Sequence, residues 1–371
     1  MFGAKVKDGF DVVIGNPPYG ASVSADNIER IKHAYKLKTT ETAILFIERG
    51  LDLLKPIGYH SYIIPKSFSF ASNYSTTRNL VLGYLNRLVD CGKAFKNVKL
   101  EACIIGIEKG TPSQEYQSLK YEDSFSFSIL GSINKSLVNR FGFMPNGLNA
   151  TEVALGSRIR DNSLLLGDIS HNNRGETLQK ELKNSGTLKV IGGREIDRYG
   201  IRRIKGYISD QSLITEKAKI HSSSILAQNI VAHITKPHDH IKIIACLPEE
   251  TDILIVDTIN QITLTHPAFQ REFVWCLFTS KLINWYCYLF VIARAIRTIH
   301  FDNSFTTRIP ILDLSIEAQQ PYVAIAQEIY RLKSIDANSR VSSLESQIDR
   351  LLYRHYDLTP EEIAIIEGTT P

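Results

Sequence analysis

Cysteine is scarce in this chain, with five in 371 residues, and Cys91, Cys103, Cys246, Cys276 and Cys287 form no Cys-x-x-Cys pair. That spacing excludes the usual zinc patterns and a dense disulfide framework, so reduced thiols in apolar surroundings are expected. His233, His238 and His240 share one short segment, which reads as a polar loop in preference to a metal site. Neither sign of charge dominates: 43 Lys and Arg against 39 Asp and Glu leave +4, which permits a nucleic-acid partner without requiring one. No apolar run opens the chain, where Met1 to Asp8 carries charges, so no secretory leader is expected. Phe273 to Ala293 is apolar enough to suggest a membrane span, but Lys281 and Asn284 interrupt it, and a buried helix is expected instead. We therefore expect a cytoplasmic protein without a membrane partner. There is no internal repeat.

What is present is ordinary globular composition, 43% hydrophobic and 22% charged, in a chain long enough for two domains. Up to about Gly110, short apolar runs alternate with amphipathic ones. Phe10 to Ile14 reads as a strand. Ile44, Ile47, Leu51 and Leu54 repeat at helical spacing behind Thr39-Thr40-Glu41, and Pro56 and Gly58 end that helix. Tyr59 to Ile64 is a second strand, Ser75 to Leu85 a helix, and Arg87 to Asp90 and Ala102 to Ile107 a closing pair of strands. This is the rhythm of an open α/β sheet with a terminal hairpin.

After Gly110, Ser, Asn, Gly and Thr become frequent, and the stretch reads as a linker with a helix near Gly131 to Phe141. Short strands follow at Leu188 to Gly192, Ile225 to His233, Ile241 to Cys246 and Asp252 to Ile255, then the long helix from Phe273. In the tail, Leu344, Ile348, Leu351 and Leu352 form one helical face, and Thr359-Pro360-Glu361-Glu362 is a capping box with proline at the first helical position. That face is too short for a sustained coiled coil, so the tail is expected to pack on its own chain.

The residues that carry chemistry are Asn16, Pro17, Pro18 and Tyr19, placed where the first strand ends. An exocyclic ring amine is a poor nucleophile because its lone pair is delocalised. Accepting both of its hydrogens pushes electron density back onto nitrogen. An Asn side-chain oxygen and a neighbouring main-chain carbonyl supply two acceptors, and successive prolines fix the turn that points the carbonyl outward. The aromatic ring that follows can stack on a base taken out of a duplex. Open α/β sheets bind ligands at the carboxyl ends of their strands, where this tetrapeptide falls. As a bare tetrapeptide it also reads as a stiff strand-exit turn.

In its context, Asp11-Val12-Val13-Ile14-Gly15-Asn16-Pro17-Pro18-Tyr19 resembles the catalytic motif of gamma-class DNA adenine-N6 methyltransferases carrying a TaqI-like target-recognition domain, including type IIG restriction-modification enzymes. Gly58 to Pro65 resembles the following strand motif, and Phe95 to Lys109 the terminal hairpin lining the target-base pocket. Leu166-Gly167-Asp168-Ile169 with Arg174-Gly175, and Val190 to Ile196, resemble the opening of the recognition domain. Phe278 to Tyr286 and Arg308-Ile309-Pro310-Ile311 resemble its closing helix and strand, and Ile348 to Ile366 the tail of larger members.

The resemblance implies a fold of the α/β class: a partial Rossmann-like methyltransferase sheet (its later strands) over 1–112, a linker at 113–160, an α+β target-recognition domain at 161–315 and a helical tail at 316–371. It implies S-adenosyl-L-methionine as methyl donor, Asn16 and the Pro17 carbonyl on the adenine amine, Tyr19 stacked on the flipped base and Phe95 as a second pocket aromatic, unless Phe95 is a core residue at a strand edge. Double-stranded DNA is the implied partner. Arg174, Arg194, Arg198, Arg202, Arg203, Lys205, Lys236, Arg294, Arg297 and Arg308 are the candidate contacts to it.

The family's glycine-bearing cofactor turn has no counterpart in the residues before Asn16, and no proline-aspartate with acid-x-lysine arrangement marks a nuclease. The chain is thus expected to be a truncated or split product, inactive alone, whose exposed first strand awaits an upstream methyltransferase half or nuclease subunit. Two other readings remain: a non-catalytic DNA-binding specificity fragment, and a protein methyltransferase acting on glutamine amides, which shares the Asn-Pro-Pro-Tyr motif.

Overall fold

A computed structural model of the protein describes residues 8–20, 27, 30, 41–95, 100–123, 126–295 and 299–369. The chain divides into two compact units, 1–154 and 155–371, and the division falls inside the helix Ala150–Asp161.

The first unit is built on a six-stranded mixed sheet. Its strands are β1 (Phe10–Gly15), β2 (Leu54–Pro65), β3 (Leu85–Asp90), β4 (Ala102–Lys109), β5 (Glu115–Tyr121) and β6 (Phe127–Asn134), ordered β1-β2-β4-β3-β5-β6. β1 pairs parallel to β2, with Val12 opposite Tyr59 and Gly15 opposite Tyr62. β4 runs antiparallel between β2 and β3, which brings Gly15, Pro65, Asp90 and Ala102 to one end of the sheet. Helices α1 (Thr42–Leu53), α2 (Ser75–Leu82) and α3 (Ser136–Phe141) supply the helical packing of this unit. Ile44, Ile47 and Leu51 of α1 recur at helical spacing and are buried. Ile47 and Leu51 join Tyr62, Ile64, Leu88, Ile105, Ile107, Tyr116 and Val138 in the main core.

The sheet does not stop near Gly110. Residues 113–160, expected as a linker, supply β5, β6, α3 and the helix Ala150–Asp161. Polar residues within this stretch are held by bonds to partners far along the chain. The Tyr116 hydroxyl donates to the Pro145 carbonyl at 2.6 Å, and Ser118 Oγ accepts from the Gly147 amide at 3.0 Å. The helix expected from Gly131 begins only at Ser136, because residues up to Asn134 pair with β5.

In the second unit, a four-stranded sheet contains Ala245–Cys246, Ser224–Gln228, Ile259–Leu264 and Ser170–Arg174 in that order. A three-stranded sheet centres on Leu188–Ile191. The expected single helix from Phe273 is instead Arg271–Thr279, Lys281–Tyr286 and a π-helical turn at Cys287–Val291, with a bend of 63° at Ser280. Ser280 is extended there. Its Oγ accepts from the Ile283 amide at 3.2 Å, and Asp349 Oδ1 accepts from the Lys281 amide at 2.8 Å, so the new helix start is capped twice. Residues 273–293 are buried almost throughout, and no single helix among the described residues is long and apolar enough to cross a membrane.

The tail helices Ile316–Ile335, Ser342–His355 and Pro360–Glu367 belong to this same unit and are not a separate appendage. Besides the Asp349 cap, Lys281 pairs with Glu367 at 2.9 Å and Arg158 with Glu362 at 2.5 Å. The capping box read from Thr359 and Glu362 is formed. All five cysteines are free and buried. Among the described residues no cluster of His, Cys, Asp or Glu is arranged to hold a metal, and His233 instead faces Asp239 at 3.3 Å.

Two buried titratable groups, one in each unit, contribute to stability with opposite dependence on pH. His60 is 1% exposed with neither ring nitrogen hydrogen-bonded among the described residues, and burial pushes its imidazole down to about 4. Unfolded, it protonates near 6.5, so its contribution should cost the first unit up to about 3 kcal/mol as pH falls from 6.5 to 4. Burial instead raises the Asp349 carboxyl from 3.8 to about 6, so its contribution to the second unit becomes stabilising over the same descent. Hydrogen exchange in β2 and in the Lys281–Tyr286 helix at pH 7 and 4.5 should show these opposite signs. His60→Leu should abolish the first and Asp349→Asn the second.

Candidate functional site

The parallel pairing of β1 with β2 carries the chain to Gly15, and Asn16 to Tyr19 leave the sheet from there. Asn16 is exposed, Pro17 buried, Pro18 exposed and Tyr19 half-buried. The buried proline seats the turn, and its fixed φ leaves the next carbonyls few directions. The Pro18 carbonyl is taken by Thr42, whose hydroxyl donates to it at 2.8 Å from the first residue of α1. Among the described residues, neither the Asn16 side chain nor the Pro17 carbonyl holds a hydrogen bond. The adjacent Pro18 carbonyl, by contrast, is held to a helix.

Tyr19 lies on the strand ends. Its hydroxyl donates to the Ile63 carbonyl at 2.7 Å, and burial pushes its phenol up to about 12, with Cys103 and Cys91 beside it. It is therefore a neutral aromatic surface anchored at its tip. Phe95 is also half-buried, packed with Ile63, Ile104 and Tyr121 around Val89, Cys91, Ala102 and Leu119. Ile63 thus joins the two loops, bonded to Tyr19 through its carbonyl and packed in the Phe95 cluster through its side chain. Both readings of Phe95, pocket aromatic and strand-edge packing, fit this placement.

Nothing in the residue pattern singles out Thr42. The expected cap lay at residues 39–41, of which Thr39 and Thr40 are outside the described residues. Glu41 stands at the N-cap position without a side-chain capping bond. Lys66 was also missed. It sits at the carboxyl end of β2 with its side chain 4% exposed, its Nζ 2.7 Å from Asp90 Oδ2 and 3.6 Å from Glu101 Oε1. Glu108 and Lys109, adjacent acid and base on β4, are both engaged locally. Glu108 accepts from Asn86 at 2.9 Å, and Lys109 donates to the Leu51 carbonyl at the end of α1 at 3.1 Å.

A nucleotide-type cofactor needs a close-fitting glycine turn against its phosphate or carboxylate. Gly20, the one glycine between β1 and α1, has open space at the place a Cβ would take, and no described residue is assigned to S-adenosylmethionine.

In the second unit the candidate cations separate into classes. Arg198 is turned inward, its guanidinium on Glu345 at 2.8 Å and on the Thr279 carbonyl at 2.5 Å, so it holds the tail and is not a surface contact. Arg308 is also drawn inward. Its Nε donates to the Ser304 carbonyl at 2.8 Å, and burial depresses its guanidinium. Arg294 is half-buried in a left-handed conformation (φ 57°), and Arg297 lies outside the described residues.

Arg174, Arg194, Arg202, Arg203, Lys205 and Lys236 are exposed. The first five share one neighbourhood. Arg174 Nε donates to the Asp257 carbonyl at 2.5 Å, the next residue Thr258 accepts the Gly193 amide on its Oγ1 at 3.0 Å, and the Arg202 amide donates to Glu195 O at 2.7 Å. Gly193 permits that contact, since a Cβ there would lie 2.7 Å from the Thr258 carbonyl oxygen. Within the group Arg202 pairs with Asp197 and Arg203 with Glu195, whereas Arg194 and Lys205 hold no carboxylate among the described residues.

Residues 2–95 match the family model described as the Eco57I restriction-modification methylase. The chain is 31% identical over 139 residues to the type II restriction enzyme and methyltransferase RM.Eco57I of Escherichia coli, a match covering 34% of this chain and 13% of that protein. It is 35% identical over 124 residues to a Methanocaldococcus jannaschii protein named as a type II restriction enzyme and methyltransferase, covering 32% of this chain and 10% of that one. The matched stretch thus spans a small part of either relative's length. Among solved structures, the type IIL restriction-modification enzyme MmeI, determined in complex with DNA, has a similar fold over 97% of this chain and 55% of its own, with a TM-score of 0.57 and 10% identity. By these matches the first quarter of the chain is similar to the Eco57I-type restriction-modification methylase.

Proposed function

We propose that this chain is the base-binding and DNA-reading portion of a site-specific DNA adenine-N6 methyltransferase of a restriction-modification system. One observation carries the reading: Asn16 and the Pro17 carbonyl stand at the carboxyl end of β1, without a hydrogen bond among the described residues, beside a Tyr19 ring fixed at its tip. On this reading the Asn16 Oδ1 and Pro17 O accept the two amino hydrogens of an extrahelical adenine. The nitrogen lone pair would thereby be free to attack a sulfonium methyl, the donor's S–C bond breaking to release a thioether as the N–C bond forms, with one amino proton passing to solvent. Tyr19 stacks on one face of the ring. S-adenosylmethionine supplies the methyl group when bound, at residues other than those described.

The partner that completes the sheet is, on this reading, a strand-bearing methyltransferase half. β1 is an edge strand with Val12 55% exposed and Ile14 73% exposed, and Tyr59 opposite Val12 is 53% exposed. An apolar edge of this kind is a template for another strand. The alternative, a specificity module with no catalysis of its own, shares the DNA-binding part of the reading and differs only in the fate of the methyl group.

Two experiments test it. With labelled S-adenosylmethionine and duplex DNA, the chain is assayed alone and together with the polypeptide encoded directly upstream. The combination should transfer methyl groups, and Asn16→Ala should lower the rate by about 10²-fold or more. Transfer that is unchanged in Asn16→Ala, or absent from every combination, would remove the catalytic reading.

In the second, the salt dependence of duplex binding is compared among variants. Arg194→Ala and Lys205→Ala should each weaken binding and flatten the plot of log K against log salt by about one contact. Arg198→Ala, which breaks an internal pair, should lower stability and leave the slope intact. Equal slopes for wild type, Arg194→Ala and Lys205→Ala would exclude that surface from DNA contact.

A further inference from the structure

Lys66, Asp90 and Glu101 form a nearly buried ionic cluster that the chemistry above does not use. Their side chains are 4%, 13% and 6% exposed. Removing such charges from water is expensive, and an apolar trio of similar volume generally stabilises a fold as well or better. Burial of this kind is retained where it fixes a geometry, and the cluster's position indicates which one.

Lys66 follows β2, Asp90 ends β3 and Glu101 precedes β4, so the cluster lies at the root of the connection that carries Phe95. The backbone reinforces the same root. The Lys66 amide donates to the Glu101 carbonyl at 2.9 Å, the Ala102 amide to the Gly92 carbonyl at 2.9 Å, and the Gly92 amide to Asp90 Oδ1 at 3.0 Å. On the other side of β2, Tyr19 is tied to the Ile63 carbonyl at 2.7 Å. β2 and β4 lie between β1 and β3 in the sheet, so Lys66 stands between the strand that delivers Tyr19 and the strand that delivers Phe95.

We propose that Lys66, through Asp90 and Glu101, is a positioning residue that sets the Phe95 loop at the spacing from Tyr19 needed to hold one planar base between the two rings. This rests on the base-binding reading of Asn16 to Tyr19. Lys66 touches no substrate; it acts through the loop root. An apolar replacement takes the cation from the buried Asp90 carboxylate, and the loop end of β3 has to move outward to hydrate it. Arginine keeps the charge and the donors to both acids.

The probe is a single-stranded octamer carrying one 2-aminopurine, whose fluorescence is quenched when the ring stacks on an aromatic side chain. Wild type should quench it, and Tyr19→Ala and Phe95→Ala should each weaken the quench. Lys66→Met should raise the Kd read from quenching about fivefold or more. Its melting temperature should fall, as a buried carboxylate loses its cation, while its affinity for duplex DNA below the melt should stay close to wild type. Lys66→Arg should recover most of the quench and of the melting temperature. Asp90→Asn, which keeps the shape of the root and removes one charge, should show the same loss and serves if Lys66→Met does not fold. Quenching by Lys66→Met or Asp90→Asn equal to wild type, with Tyr19→Ala and Phe95→Ala impaired, would overturn the positioning role alone. Quenching that is equal in all variants, or absent from wild type, would overturn the base-binding reading and this inference with it.

Discussion

The first unit depends on the parallel pairing of β1 with β2. That register, Val12 on Tyr59 through Gly15 on Tyr62, is the sole ladder holding β1 among the described residues, and it aims Asn16 off the carboxyl end of the sheet. Everything at the candidate site is referenced to β2. Tyr19 bonds to Ile63, Lys66 extends from its end, and the helix whose first residue holds the Pro18 carbonyl runs directly into it. A slip of one residue would turn Val13 out of the core and Asn16 to the wrong face, because side chains alternate along a strand.

Among the described residues β1 is paired on one side only. Val12 and Ile14 are largely exposed, whereas Val13 packs against the main core. On the proposed reading a partner strand there would lock the register of β1 and rigidify the turn that carries Asn16, so that completion of the sheet and organisation of the base-binding loop are a single event. In the second unit the broken helix and the tail are held together through Ser280, Asp349, Arg198 and Glu345.

Much of this was legible in the sequence because it is periodic or chemically unusual. The β-rich run at Phe10 to Ile14, the helical spacing of Ile44 to Leu51 and the Thr359 capping box each have a local cause and took their expected form. By contrast Leu54, Pro56 and Gly58, expected at the end of the Ile44 to Leu51 helix, already lie in β2. What was not legible depends on distant partners. Ser118 and Tyr116 read as linker until Gly147 and Pro145 meet them. Lys281 and Asn284 spoke against a membrane span, but the capping of Ser280 and Lys281 that starts a new helix depends partly on Asp349, far along the chain. Arg198 and Arg203 look alike in sequence, yet one holds the tail and the other reaches solvent. Lys66 carries no signal at all, because an isolated lysine after a proline is ordinarily a surface charge.

The central claim is that the Asn16 and Pro17 acceptors act on the exocyclic amine of adenine, and the identity of the methylated product tests it most directly. Duplex DNA modified by the chain together with its upstream-encoded partner, in the presence of S-adenosylmethionine, is digested to nucleosides and analysed by mass spectrometry. The account predicts N6-methyladenine, lost in Asn16→Ala. Methylation found on cytosine, or on a protein glutamine and not on DNA, would contradict it.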